Sequence, residues 1–224
     1  GVELVPVTDD KPAWLLANQP ERCMPEFKDF FAMYDALGNT PMPGVIIPPA
    51  THRHAITGPL KYRGQGTIKH EIEVSKEGIA AAGADLEDFF FPVLSPGWIS
   101  HFLWNDYYQT DEEYFYAIAD FVKGEYEAVV EAGFVLQIDD PSMVTRYGYP
   151  NPSLSVEEYR KHAEMRVEAL NHALSNISED KIRFHTCWGS QHSPHTTDLP
   201  LRHVIDLILK VNAGASSLET ADAR

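Results

Sequence analysis

Two patterns of apolar and polar positions alternate along this chain. Short, mostly apolar runs predict strands, and apolar positions three or four residues apart predict helices. The predicted strands are Glu3–Val7, His54–Tyr62, Asp88–Leu94, Phe134–Ile138, Ile182–Cys187 and Ala215–Leu218. The predicted helices are Glu26–Leu37, Thr67–Ala82, Asp111–Ala132, Val156–Ile177 and Leu199–Val211. The chain therefore alternates between strand and helix from its first quarter to its end.

Capping signals mark where the two longest helices begin. Thr110 followed by Glu113, and Ser155 followed by Glu158, match the capping box, in which the two side chains bond to each other's backbone N–H. Gly133 follows the first of these helices, and glycine is the residue that most often ends a helix. These signals support helices starting near residues 111 and 156.

Alternating strands and helices of this length indicate βαβ units with a parallel sheet. We predict an α/β fold, namely a (β/α)8 TIM barrel that is incomplete in this chain, with an open doubly wound sheet as the alternative. A complete barrel takes about 250 residues, and the chain has 224. Eight of its 16 prolines lie in the first fifty residues. We therefore predict an irregular N-terminal segment at 1–53 and a partial barrel at 54–224.

Charge and cysteine content narrow the function classes. The formal net charge is −15, from 18 basic and 33 acidic residues. We do not expect nucleic-acid binding, because it requires clustered basic residues. No apolar run of about 18 residues predicts a membrane span. Two distant cysteines, Cys23 and Cys187, suit a reducing cytoplasm. We expect a cytoplasmic protein without a membrane partner. Small α/β enzymes often self-associate, so a homo-oligomer is compatible with this class, and the sequence does not fix the oligomeric state.

Polar residues mark the C-terminal ends of the predicted barrel strands. In α/β barrels the catalytic groups lie at these ends, on one rim of the barrel. The residues at five such positions are Thr57, Ser95, Asp139 with Asp140, His185 with Cys187, and Glu219. Each position is weak evidence alone, and their convergence on one rim predicts a functional site there.

His185 and Cys187 are separated by one residue in a predicted strand. Residues i and i+2 of a strand point to the same side, so the two side chains can reach one ion. Imidazole and thiolate are typical zinc ligands. Two other interpretations stay open at this point, a buried structural pair and a nucleophilic cysteine with a histidine base. Glu219 ends the next strand and supplies a third ligand type, which favours a metal site.

Two further histidines and two aspartates are candidates for other roles near the rim. His192 and His195 follow the strand in a loop, where such residues are more often solvated or orient other ligands. Asp139 and Asp140 follow an apolar run, and one of them is expected to face the rim and bind an ammonium group. The other is expected to cap the turn before Pro141.

Three motifs carry a resemblance to a known family. The stretches VLQIDDP (Val135–Pro141), FHTCWG (Phe184–Gly189) and SSLETADAR (Ser216–Arg224) resemble the catalytic domain of cobalamin-independent methionine synthase and its short zinc-dependent thiol alkyltransferase relatives. The segments ITGP and LSPG resemble strand-end turns of the same family. The resemblance extends from about Thr57 to the end of the chain.

The resemblance implies a (β/α)8 barrel that binds Zn²⁺ through His185, Cys187 and Glu219. It implies that Asp139 contacts the amino group of homocysteine, with Thr57 and Ser95 at the substrate-binding turns. The expected partners are a small-molecule thiol and a methyl or alkyl donor. The zinc ion would lower the pKa of the substrate thiol, whose sulfur then attacks the donor.

The sequence departs from the family pattern in two respects. The family's zinc site takes a further cysteine from a later strand, and no cysteine follows Cys187 here. Two alternatives stay open: that ligand lies beyond Arg224, or this chain alone does not hold a complete zinc site. The pteroylglutamate-binding N-terminal domain of full methionine synthases is also absent from this chain. The predicted function is methyl or alkyl transfer to a thiol, with two alternatives: thiol addition to an epoxide, and a metal-free barrel with a binding role.

Overall fold

The computed structural model describes residues 2–6, 24–36, 52–145, 154–188 and 198–219. The strands are β1 (Val2–Pro6), β2 (His52–Ile56), β3 (Phe90–Leu94), β4 (Leu103–Asn105), β5 (Val135–Asp139), β6 (Ile182–Thr186) and β7 (Ala215–Leu218). The helices are α1 (Lys28–Ala36), α2 (Gln65–Ala81), α3 (Pro96–Phe102), α4 (Asp111–Glu131), α5 (Ser142–Thr145), α6 (Val156–Leu174) and α7 (Ile205–Ile208). Within these ranges, no helix is long and apolar enough to span a membrane.

The described strands form two sheets. Four strands run parallel in the order β3-β5-β6-β7. A three-stranded sheet has the order β1-β2-β4, with β1 antiparallel to β2 and β2 parallel to β4. The predicted α/β fold with parallel strands is confirmed. Among the described residues these two sheets do not join into a closed barrel, so the barrel stays a prediction, as does the division of the chain at residue 53.

The main core lies between the four-stranded sheet and the helices α4 and α6. On this side the sheet presents Leu136, Ile138, Ile182 and Phe184, each no more than 2% exposed. The two helices pack along each other and close the core. Both begin with the predicted side-chain caps, and at Ser155 the complete capping box forms. Burial of this apolar surface is the main force that holds the sheet in place.

The other side of the four-stranded sheet, here called the polar face, carries Gln137, Asp139, Arg183, His185 and Ser217. Successive residues of a strand point to opposite sides. In β6 the buried Phe184 and Thr186 accordingly alternate with the half-buried Arg183 and His185. The alternation places two of the predicted site residues, Asp139 and His185, on the same side of the sheet.

Two predicted elements have different bounds in the structure. The strand predicted at His54–Tyr62 ends at Ile56. The following Gly58 and Pro59 disfavour further pairing, since proline has no N–H to donate. The helix predicted at Leu199–Val211 is broken into a 3-10 turn and the short α7. The break lies at Val204, whose φ of −135° is not helical.

A buried tyrosine ties α4 to the end of β3 and yields a stability prediction. The Tyr126 hydroxyl is fully buried and donates to the Leu94 carbonyl oxygen at 2.5 Å. Burial also raises the pKa of Tyr126 well above its usual value. We expect Tyr126→Phe to lower the free energy of unfolding by about 1–3 kcal/mol, because the carbonyl loses its buried donor. Chemical denaturation of the variant measures this change.

Tyr107→Phe is the matched control, since Tyr107 is 44% exposed. Surface substitutions usually change stability by less than about 0.5 kcal/mol. Equal losses in the two variants would contradict the assignment of the Tyr126 hydrogen bond as a structural tie.

Candidate functional site

One row of registered residues crosses the polar face. The row has one residue from each of β3, β5, β6 and β7, and each residue is in register with the next: Leu94, Asp139, His185 and Ser217. Directly registered residues of neighbouring strands have their side chains on the same face, about 5 Å apart. Asp139 and His185 therefore lie side by side. It is the last row that all four strands share before the C-terminal edge of the sheet.

Backbone hydrogen bonds connect the strand ends just beyond this row. The Ser95 N–H donates to the Asp139 carbonyl oxygen at 3.1 Å, and the Asp140 N–H donates to the His185 carbonyl oxygen at 2.8 Å. The Glu219 N–H donates to the Thr186 carbonyl oxygen at 3.3 Å. These bonds extend the parallel pairing past the strands, and they hold the predicted site residues of four strands at one edge.

The three predicted zinc ligands lie on two adjacent strand ends. His185 Nδ1 is 3.4 Å from the Ser217 hydroxyl oxygen. Glu219 Oε2 accepts from the Trp188 backbone N–H at 3.4 Å, which brings this carboxylate against the segment that contains Cys187. Cys187 is half-buried and lies directly after β6, which ends at Thr186, one residue before the end of the predicted strand.

The chemistry of these three side chains fits zinc, because zinc is bound by imidazole, thiolate and carboxylate groups. The three residues also lie at the same edge of the sheet. In the present conformation the side chains do not converge. No group of three His, Cys, Asp or Glu side chains able to hold a metal occurs within the described ranges. The ligand assignment stays a prediction.

The structure distinguishes the two adjacent aspartates. Asp139 is half-buried on the polar face and accepts from Gln137 Nε2 at 2.8 Å. Asp140 is 2% exposed on the opposite side. Its carboxylate accepts from the Ser142 N–H at 3.0 Å and from the Ser142 hydroxyl. The strand pattern left open which aspartate faces the rim, and the resemblance implied Asp139. The structure places Asp139 on the polar face and Asp140 in the turn on the opposite side.

A buried polar cluster beneath the edge was not predicted from the sequence. Burial raises the pKa of Asp140, and hydrogen bonds from Ser142 and Ser95 with the charge of Arg166 act against that rise. Arg166 also donates to the Ser142 carbonyl oxygen at 3.3 Å. A side chain at Gly97 would meet Asp140 Oδ2 at 3.1 Å. The only sequence signal for this cluster was the Pro-Gly pair after Ser95, which indicated a turn.

The remaining predicted residues lie elsewhere or have other contacts. Ser95 is fully buried, and its hydroxyl oxygen accepts the Trp98 N–H at 2.9 Å, which caps α3. Thr57 follows β2 in the three-stranded sheet and is exposed, so it is not part of the row with Asp139. Substrate binding by Ser95 and Thr57 stays a prediction. His192 and His195 lie outside the described residues, as does Cys23.

The chain matches several curated methionine synthases in part of their length. It is 23% identical over 159 residues to that of Sulfolobus acidocaldarius, covering 70% of this chain and 41% of the relative. It is 24% identical over 104 residues to that of Sulfurisphaera tokodaii, covering 46% of this chain and 27% of the relative. It is 28% identical over 98 residues to that of Saccharolobus islandicus, covering 43% of this chain and 25% of the relative. The chain thus spans less than half the length of these relatives. No protein-family model matches it.

A solved structure shows a similar fold. It is a B12-independent methionine synthase from Shewanella sp. W3-18-1 in complex with selenomethionine, with a TM-score of 0.50 and 16% identity. The match covers 75% of this chain and 46% of that one.

The parallel sheet and the polar residues at its C-terminal edge define an α/β protein with a candidate polar site at the ends of parallel strands. The chain is similar in sequence to methionine synthases over part of their length, and in fold to a B12-independent methionine synthase, in agreement with the resemblance that its three motifs carry.

Proposed function

We propose that this chain forms part of a zinc-dependent enzyme that transfers a methyl or alkyl group to a substrate thiol. The observation that carries the proposal is the pairing of Asp139 with His185 across β5 and β6, with Cys187 and Glu219 continuing the same edge. The relation to methionine synthases supports it. The proposal includes a fold that is part of a (β/α)8 barrel.

His185, Cys187 and Glu219 would hold the zinc ion. The family pattern adds a further cysteine, and no cysteine follows Cys187 in this sequence. A zinc ion bound there supplies a Lewis acid that favours the thiolate form of a substrate thiol. The chain's own residues keep these ligands in position. Ser217 lies against the His185 ring, and the Trp188 N–H bonds to the Glu219 carboxylate. Such outer contacts orient metal ligands and raise metal affinity.

Asp139 would bind the ammonium group of an amino-acid thiol such as homocysteine. Its carboxylate is half-buried, a setting in which a charge-assisted hydrogen bond is stronger than in open water. It also lies beside His185, so a substrate bound by its ammonium group would bring its sulfur near the proposed ligands. The distance between these two contacts would select for thiols of the right length.

The test combines a metal measurement with a substrate comparison. Purified protein is assayed for zinc content by mass spectrometry, and then for turnover of homocysteine with methyl donors and with epoxides. We expect stoichiometric zinc, a methylated thiol product, and loss of activity after chelation. Epoxide opening without methyl transfer would favour the alternative reaction. Full activity in metal-free protein would overturn the zinc assignment.

A further inference from the structure

A buried glutamine lies directly beneath Asp139 on the polar face. Gln137 is 7% exposed and precedes Asp139 by two residues in β5, so the two side chains point to the same side. Its Nε2 donates to Asp139 Oδ1 at 2.8 Å. Its Oε1 has no hydrogen-bond partner among the described residues. Within the part of the chain that the structure describes, half of this amide therefore bonds to Asp139, and the other half is buried without a bond.

The orientation of the amide follows from the chemistry of its neighbour. An ionised carboxylate only accepts hydrogen bonds, so the NH₂ side of the amide must face Asp139. The reverse orientation would set two oxygen atoms against each other. Arg183 is in register with Gln137 on the next strand, but it does not donate to the Gln137 side-chain carbonyl oxygen. Its Nη2 donates to the Ser217 hydroxyl at 3.3 Å, and its guanidinium lies over the Phe90 ring at 4.5 Å.

This arrangement is unfavourable for stability alone. A buried carbonyl oxygen without a donor destabilises the folded state, which is why such atoms are rare in native structures. An apolar side chain of similar size would fill the same space without that cost. Residues that break a local stability rule are expected at functional sites. The contact with Asp139 is the one hydrogen bond of the Gln137 side chain within the described residues.

We propose that Gln137 is a positioning residue, which holds the Asp139 carboxylate in the orientation that accepts the ammonium group of the substrate. This inference rests on the proposed function, in which Asp139 makes that contact. Gln137 itself does not touch the substrate, because its amide is buried. It acts by removing the rotational freedom of Asp139, so that less entropy is lost when the substrate binds.

The test is Gln137→Met, which keeps the length and apolar stem of the side chain and removes the amide. Zinc-supplemented protein is assayed with homocysteine and with 4-mercaptobutanoate, which lacks only the amino group. We expect KM for homocysteine to rise about tenfold, the cost of one hydrogen bond to a charged group. We expect KM for 4-mercaptobutanoate and the melting temperature to stay unchanged, or the melting temperature to rise.

Two controls make the test specific. Gln109→Met makes the same change at an exposed glutamine whose amide donates to the Tyr107 carbonyl oxygen. This variant should leave KM for both thiols unchanged. In an Asp139→Asn background, Gln137→Met should have no further effect on KM, because the carboxylate it orients is gone.

The outcomes separate the inference from the function on which it rests. A lower melting temperature with equal losses for both thiols would show a structural role and overturn the inference, while wild-type turnover leaves the proposed function standing. An additive effect in the Asp139→Asn background would overturn it as well. Wild-type protein that methylates neither thiol would overturn the proposed function, and the role of Gln137 with it.

Discussion

Replacing Cys187 with alanine is expected to remove zinc from the protein and to abolish thiol alkylation. The thiolate is a ligand that alanine cannot replace, and His185 and Glu219 alone leave too few donors for a stable site. Loss of an outer contact to a zinc ligand already costs about 10–100-fold in affinity or activity. We expect the loss of a ligand to exceed 100-fold in both, measured by zinc content and by turnover of homocysteine.

The chain's other cysteine provides the matched control. Cys23→Ala makes the same chemical change at a position that does not match the zinc motif, so zinc content and turnover should be retained. Retention of zinc and activity by Cys187→Ala itself would refute the ligand assignment. Circular dichroism of both variants would show whether a loss of zinc comes from unfolding instead.

Replacing Asp139 with asparagine is expected to raise KM for homocysteine about 10–100-fold, the cost of a lost charge-assisted hydrogen bond of about 1.5–3 kcal/mol. The amide keeps the shape of the side chain and removes the charge that pairs with an ammonium group. KM for 4-mercaptobutanoate should change little, because that thiol has no ammonium group. Steady-state kinetics with the two thiols measures both effects.

Asp140→Asn is the control for this prediction, because it makes the same change one residue away on the other side of the strand. Asp140 accepts from the Ser142 N–H and lies in the buried cluster with Arg166. We expect this variant to change the free energy of unfolding and to leave the preference between the two thiols unaltered. If the two variants altered that preference alike, the assignment of Asp139 as the ammonium contact would be wrong.

Elements with a long periodic pattern were predicted well from the sequence. The helices α4 and α6 begin at the predicted residues, and β3, β5, β6 and β7 lie within a few residues of the predictions. Their signals are local, since caps and apolar spacing are contained within each element. The short α3 and β4 were missed. Ser95 and Pro96 start α3 as an N-cap and a proline in the first turn, a signal that also suits a simple turn.

The candidate site was predicted only in part. The spacing of His185 and Cys187 set their common side, and strand order set Glu219 next to them. The bond of Gln137 to Asp139 was not predicted, since it depends on which side of β5 is covered by helices. A turn cap by one of the two aspartates was predicted, and Asp140 makes it by accepting from the Ser142 N–H. The zinc ligands stay a prediction.

The sequence by itself determined the alternation of strands and helices, the similarity to methionine synthases, and which residues share a side of each strand. Only the tertiary structure decided that Asp140 is buried while Asp139 lies on the polar face, and that Gln137 is buried with its Oε1 unbonded within the described residues. The physical reason is that backbone geometry sets alternation locally, whereas burial depends on neighbouring strands and helices that are distant in the chain.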